Sequence, residues 1–94
     1  MKRIACIGDN CVDIYVNASN RLCVGGNGVN LAVAVQRSGE VSSYIGMVGD
    51  DANGQRVIMA LTDESVDVSH LRIVHGITAW TKIKLENNDR VHIG

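Results

Sequence analysis

The chain has 94 residues, 46% of them hydrophobic and 20% charged, with a formal net charge of −1. That balance excludes an intrinsically disordered chain, and the lack of any basic block gives no electrostatic ground for a nucleic-acid or acidic-membrane partner. No apolar run is longer than the five residues of 31–35, far too short to span a bilayer, and residues 4–7 are too few for the apolar part of a secretion signal.

In chain order, residues 3–7 form a short apolar run ending at Gly8, which suits a buried strand. Asp9-Asn10 is a polar turn, residues 12–16 (Val-Asp-Ile-Tyr-Val) read as a second strand, and residues 17–21 read as a loop. Gly25-Gly26-Asn27-Gly28 is a glycine-rich turn. A helix over 29–38 follows, carrying Leu31, Ala32 and Val35, with Arg37 near its end and Gly39 as the stop. Residues 41–48 form the next strand. Asp50-Asp51 suit the cap of a second helix with Val57, Ile58 and Leu61 on one face. Residues 66–74 hold a short strand, and 78–85 alternate most clearly. Asn87-Asn88-Asp89 is turn chemistry, and 91–93 is a returning strand.

Alternation of strand and helix in the middle predicts an α/β unit with parallel strands. The strands at 12–16 and 78–93 do not fit a simple wound sheet and predict a second, smaller sheet. The last strand stops at Gly94 with nothing after it to pack on it, so the chain reads as the front part of a larger protein.

The glycine turn offers a backbone that a ligand can approach closely, and the helix after it presents unbonded N–H groups. Asn30 falls in the first helical turn. The spacing departs from the dinucleotide fingerprint, because the last glycine position is Leu31; the phosphate-loop and nucleophile-elbow patterns are absent. A turn that needs glycine for geometry alone is the competing reading. Asp13 is an acid opening an apolar stretch; a carboxylate at the C-terminal end of a sheet can accept hydrogen bonds from ligand hydroxyls, and an exposed turn acid is the alternative. Cys6, Cys11 and Cys23 are odd in number without C-x-x-C spacing, which reads as reduced thiols in a cytoplasmic protein. His70, His75 and His92 lack ligand spacing, so no metal site is expected. Lys82 and Lys84 read as a solvated strand face, and Trp80 as packing within the small sheet rather than a stacking surface for a ligand ring.

Gly25-Gly26-Asn27-Gly28-Val29-Asn30-Leu31-Ala32, with Gly39 and Gly49 beyond, resembles the first signature of the ribokinase-like (PfkB) carbohydrate kinases. Gly8-Asp9-Asn10-Cys11-Val12-Asp13 resembles that family's opening strand and sugar-binding acid, and Val48-Gly49-Asp50-Asp51 with Gly54 its V-G-x-D-x-x-G segment. The resemblance implies a ribokinase-like wound sheet whose N-terminal segment is residues 1–94, with lid strands near 12–16 and 78–93. It implies that Asp13, Gly25, Gly26 and Asn30 contact the sugar. Asn27 stands where ribokinases proper carry lysine, which argues against ribose. His75-Gly76-Ile77-Thr78-Ala79 and Asn88-Asp89-Arg90-Val91 are similar to the members acting on sugar–amine adducts, with fructoselysine as the candidate acceptor. The resemblance further implies that the catalytic aspartate, the anion hole and the pocket for ATP with Mg2+ belong to a C-terminal half absent here. No catalytic or cofactor-binding residue is therefore expected in this segment, and the isolated chain is expected to be inactive. The expected partners are a small sugar and a second copy paired through the lid. The rival reading is a truncated binding or dimerisation module without catalysis.

Overall fold

The computed structural model describes residues 3–15, 21–86 and 89–92. Its elements, in order, are β1 (Arg3–Ile7), β2 (Cys11–Tyr15), β3 (Arg21–Gly25), α1 (Asn27–Arg37), β4 (Val41–Ile45), β5 (Met47–Gly49), α2 (Ala52–Asp63), β6 (Arg72–Val74), β7 (Trp80–Glu86) and β8 (Asp89–His92).

The wound part is parallel. β1 pairs with β4 from Arg3↔Val41 to Ile7↔Ile45, and β5 pairs with β6 from Met47↔Arg72 to Gly49↔Val74. The two ladders run on from each other: Asp67 bridges to Ser43 beside β4, and the Arg72 N–H donates to the Gly46 carbonyl at 2.9 Å. The single strand expected over 41–48 is therefore broken at Gly46. Only glycine fits there, because the fully buried Tyr44 ring and hydroxyl fill the space that a β-carbon at position 46 would need.

α1 packs on β1 and β4, and α2 on β5 and on the roots of β2 and β3. Between them lies a core of Cys6, Val12, Val29, Ala32, Tyr44, Val48, Val57, Leu61 and Val66. Of the expected inward face of α2, Val57 and Leu61 are fully buried and Ile58 packs partly buried against the core; each such side chain contributes about 1.5–3 kcal/mol when fully buried. In α1 the inward positions are Gly28, Val29 and Ala32, while Leu31 is half exposed. The helix starts at Asn27, earlier than the expected 29, and ends as read, with Ser38 as cap and Gly39 at φ 100°.

The second sheet has the order β3-β2-β7-β8. β2 is antiparallel to β3 and parallel to β7, and β7 is antiparallel to β8. The small extra sheet expected from the sequence is thus present, with one addition: β3, whose ends Arg21 and Gly25 carry loop and turn chemistry in the sequence. Its pairing with β2 across Asp13↔Cys23 and Cys11↔Gly25 is a tertiary choice. The expected loop at 17–20, the end of the strand at Val16, the turn at Asn87-Asn88 and Ile93 lie outside the described residues. Among the described residues no helix is long and apolar enough to cross a membrane.

Candidate functional site

The site expected from the sequence lies where the chain leaves the wound sheet for the second one. β1 ends at Ile7, and the backbone then crosses the start of α1 at very short range: a β-carbon at Gly28 would lie 2.7 Å from the Gly8 backbone. Gly26, at φ 103°, caps α1 without a side-chain acceptor. Asp9 supplies one from 17 residues earlier. Its Oδ1 accepts from the Asn27 N–H at 2.8 Å and the Gly28 N–H at 3.3 Å, so a carboxylate sits on the positive end of the helix. Asn10 is fixed next to it, donating through Nδ2 to the Tyr44 hydroxyl and to the Met47 carbonyl, both at 2.9 Å. The Tyr44 hydroxyl in turn donates to the Gly8 carbonyl at 2.7 Å, and burial pushes its phenol pKa upward.

Beyond this crossing, β2 carries Asp13 between Cys23 of β3 and Thr81 of β7. By strand alternation Cys11, Asp13, Cys23, Gly25 and Thr81 share one face, opposite Val12 and Val24. Val12 and Val24 pack into or against the core, which turns Asp13 away from it. Asp13 is half-buried, and a β-carbon at Gly25 would touch its Oδ2 at 3.4 Å. The Cys11 thiol donates to Asp13 Oδ1 across 3.7 Å and lies 3.5 Å from the Thr81 hydroxyl. Burial raises the Cys11 pKa, the Thr81 contact opposes this, and the Asp13 charge adds to the rise, so Cys11 is a neutral thiol at pH 7.

The structure therefore brings Asp13 and Gly25 together, with Gly26 next in the chain. Asn30 is exposed in the first turn of α1, its N–H bonded to the Gly26 carbonyl at 2.9 Å. It borders a groove of about 480 Å³ between α1 and α2, whose lining includes the ion-paired Arg37 and Glu64. A second cleft, of about 560 Å³, opens at the C-terminal ends of β1 and β5 and is lined by Gly8, Asp9, Asn10, Gly49, Thr78 and Ala79 among others. Trp80 is partly exposed at the start of β7, with the Lys82 ammonium 5.7 Å from its ring centre.

The sequence reading missed Asp9, Asn10 and Tyr44 as the parts that fix the crossing. One signal was available: a helix that starts after glycine has no side-chain cap of its own, so an acceptor must come from elsewhere.

The fit of an ATP–metal site can be tested on the helix N-termini, the usual seats for phosphate. Both are taken by carboxylates, Asp9 on α1 and Asp51 on α2, which repel a phosphate. Among the described residues no three His, Cys, Asp or Glu side chains cluster as metal ligands. These residues do not fit a nucleotide–metal site.

Residues 1–93 match the model of the pfkB family carbohydrate kinases, and the chain belongs to that family. Fructoselysine 6-kinase of Escherichia coli (strain K12) is 47% identical over 91 residues, covering 97% of this chain and 34% of that protein. Among solved structures, fructokinase from Xylella fastidiosa with bound ATP superposes with a TM-score of 0.85 at 25% identity, over 97% of this chain and 29% of that one. Fructokinase from Vibrio cholerae O395, in a form with fructose, ADP and calcium ion bound, does so with a TM-score of 0.76 at 28% identity, over 99% and 32%. The chain spans about a third of the length of these relatives. Its likeness within the family to fructoselysine kinases, read from the sequence, is borne out.

Proposed function

We propose that this chain is the sugar-binding portion of an ATP-dependent carbohydrate kinase, which phosphorylates a hydroxyl of a sugar or sugar–amine adduct of the fructoselysine type. Asp13 is the acid that accepts the sugar hydroxyls. Gly25 and Gly26 let the sugar approach the backbone beside it, and Asn30, one helical turn on, completes the set. The four-stranded second sheet is the lid. The observation that carries this reading is the placing of Asp13: in mid-strand, turned away from the core, flanked by glycine and small polar side chains. Such a face has room for a ligand and a charged acceptor to orient it. In the whole enzyme ATP would supply the phosphoryl group and Mg2+ would offset its charge, both held by residues outside this chain. The reading also includes a cytoplasmic location and pairing of two copies through the lid.

A chimera tests it, with this chain replacing the matching third of the Escherichia coli fructoselysine 6-kinase. The chimera is expected to phosphorylate fructoselysine. Asp13→Asn keeps the shape but loses the charge, worth about 1.5–3 kcal/mol per charged hydrogen bond, so kcat/KM for the sugar falls at least about tenfold while the KM for ATP stays. Sugar kinetics within about twofold of the parent chimera would remove Asp13 from the site. The 94-residue chain alone is expected to form no ADP in response to sugar; turnover by it that Asp13→Ala abolishes would overturn the assignment of catalysis to residues outside it.

A further inference from the structure

Among the described residues, two places fasten the second sheet to the wound sheet. One is the crossing at Asp9. The other is Thr78, the residue from which the chain enters β7, and it is built more heavily. Thr78 is almost completely buried. Its hydroxyl donates to Asp51 Oδ1 at 2.7 Å and accepts from the Gly49 N–H at 2.9 Å, and its own N–H donates to Asp51 Oδ2 at 2.9 Å. Asp51 Oδ1 also takes the Gly54 N–H at 2.8 Å, which caps α2. Glycine at 49 and 54 leaves room for this packing: a β-carbon at Gly49 would lie 2.8 Å from the Thr78 nitrogen, and one at Gly54 would lie 3.1 Å from the Thr78 hydroxyl.

A helix cap needs one oxygen and one N–H. Asp51 uses both oxygens, and two of its three bonds go to Thr78 rather than to the helix. The next residue, Ala79, accepts the Val12 N–H at 2.9 Å, and from there β7 runs beside β2 with Asp13 opposite Thr81. We propose that Asp51 and Thr78 are positioning residues: they set β7 at a fixed place on the end of β5 and α2, and through β7 they set the strand that carries Asp13. The placement stands on these contacts alone; its consequence for substrate rests on the reading of Asp13 as the sugar acid.

The test uses the 94-residue chain and reads the second sheet directly, so its outcome does not depend on whether Asp13 binds sugar. Trp80 is the single tryptophan, two residues past Thr78, and reports on β7 by its fluorescence. Site-resolved hydrogen exchange reads the Val12 N–H for the junction and the Gly54 N–H for the α2 cap. Asp51→Asn keeps the shape but turns an amide N–H toward the Thr78 N–H. Thr78→Val removes the hydroxyl and leaves the α2 cap in place, and Thr78→Ser keeps every bond. The expected result is about tenfold faster exchange at Val12, with a shifted Trp80 emission, in Asp51→Asn and in Thr78→Val, while Thr78→Ser matches the parent. Gly54 in Thr78→Val stays as protected as in the parent. If Asp51→Asn unfolds, Thr78→Val carries the test. Val12 exchange and Trp80 emission unchanged in Thr78→Val would overturn the proposal and leave Asp51 as a helix cap alone.

Discussion

Asp9 shows how much one side chain decides in a chain this short. It satisfies two backbone N–H groups of a helix that begins 18 positions later, and its own backbone lies 2.7 Å from where a β-carbon on Gly26 would sit. Removing the carboxylate leaves those donors to water and takes a negative charge from the positive end of α1. Asp9→Ala is expected to lower stability by about 0.5–2 kcal/mol, the usual cost of losing a helix cap. Urea unfolding followed by far-ultraviolet circular dichroism checks this. A midpoint equal to that of the parent would mean that α1 finds another acceptor.

At the scale of elements, α2 and its neighbours are held by carboxylates whose pKa values all move the same way. The Thr78 hydroxyl, with the Thr78 and Gly54 N–H groups, holds Asp51 below the usual carboxylate range. His75, with the Gly76 N–H, does so for Asp50, and Arg37 does so for Glu64 through a bidentate pair at 2.7 Å. The Ser69 N–H and hydroxyl lower Asp67. Each folded-state pKa lies below its unfolded value, so these groups add stability that is fully present above the unfolded carboxylate range. That stability is lost as pH falls through the folded values. The urea midpoint is therefore expected to hold between about pH 7 and pH 5 and to fall below about pH 4. Glu64→Gln is expected to make the acid slope shallower. The Arg37–Glu64 pair is largely exposed, so its share weakens with salt. An acid slope unchanged in Glu64→Gln at low salt would mean that the pair contributes nothing.

The whole molecule is a parallel sheet with helices and a second sheet around it, and part of its apolar surface is uncovered. Parallel strands are normally covered on both faces. Here Ile7 is 74% exposed, Met47 60% and Ile77 82%, and Ile7, Met47 and Ile77 border the cleft at the ends of β1 and β5. Among the described residues β1 pairs only with β4, which leaves an open strand edge. Contiguous apolar surface beside an open edge favours association. The 94-residue chain is expected to sediment as concentration-dependent oligomers, and Ile7→Lys with Ile77→Lys is expected to reduce them. A single monomer species across the concentration range, with a sharp cooperative melt, would count against this.

What the sequence determined by itself was local. Glycine and aspartate at the ends of apolar runs marked the strand ends and the start of α2, and Gly39 marked the end of α1, because turn and cap geometry depends on a few neighbouring residues. The signature over residues 25–32 gave the family for the same reason, and residues 1–93 match it. Tertiary structure decided the rest. β3 exists because β2 is there to pair with it, and the stretch over 41–48 is two strands meeting at Gly46, where the Tyr44 ring leaves no room for a side chain. Asp13 faces away from the core because Val12 is drawn into it, and Asn30 opens on a groove between two helices whose packing no local pattern encodes. Asp51 looked like a helix cap in the sequence. Its two bonds to Thr78, 27 residues away, exist only because the fold brings the start of β7 back to the end of β5.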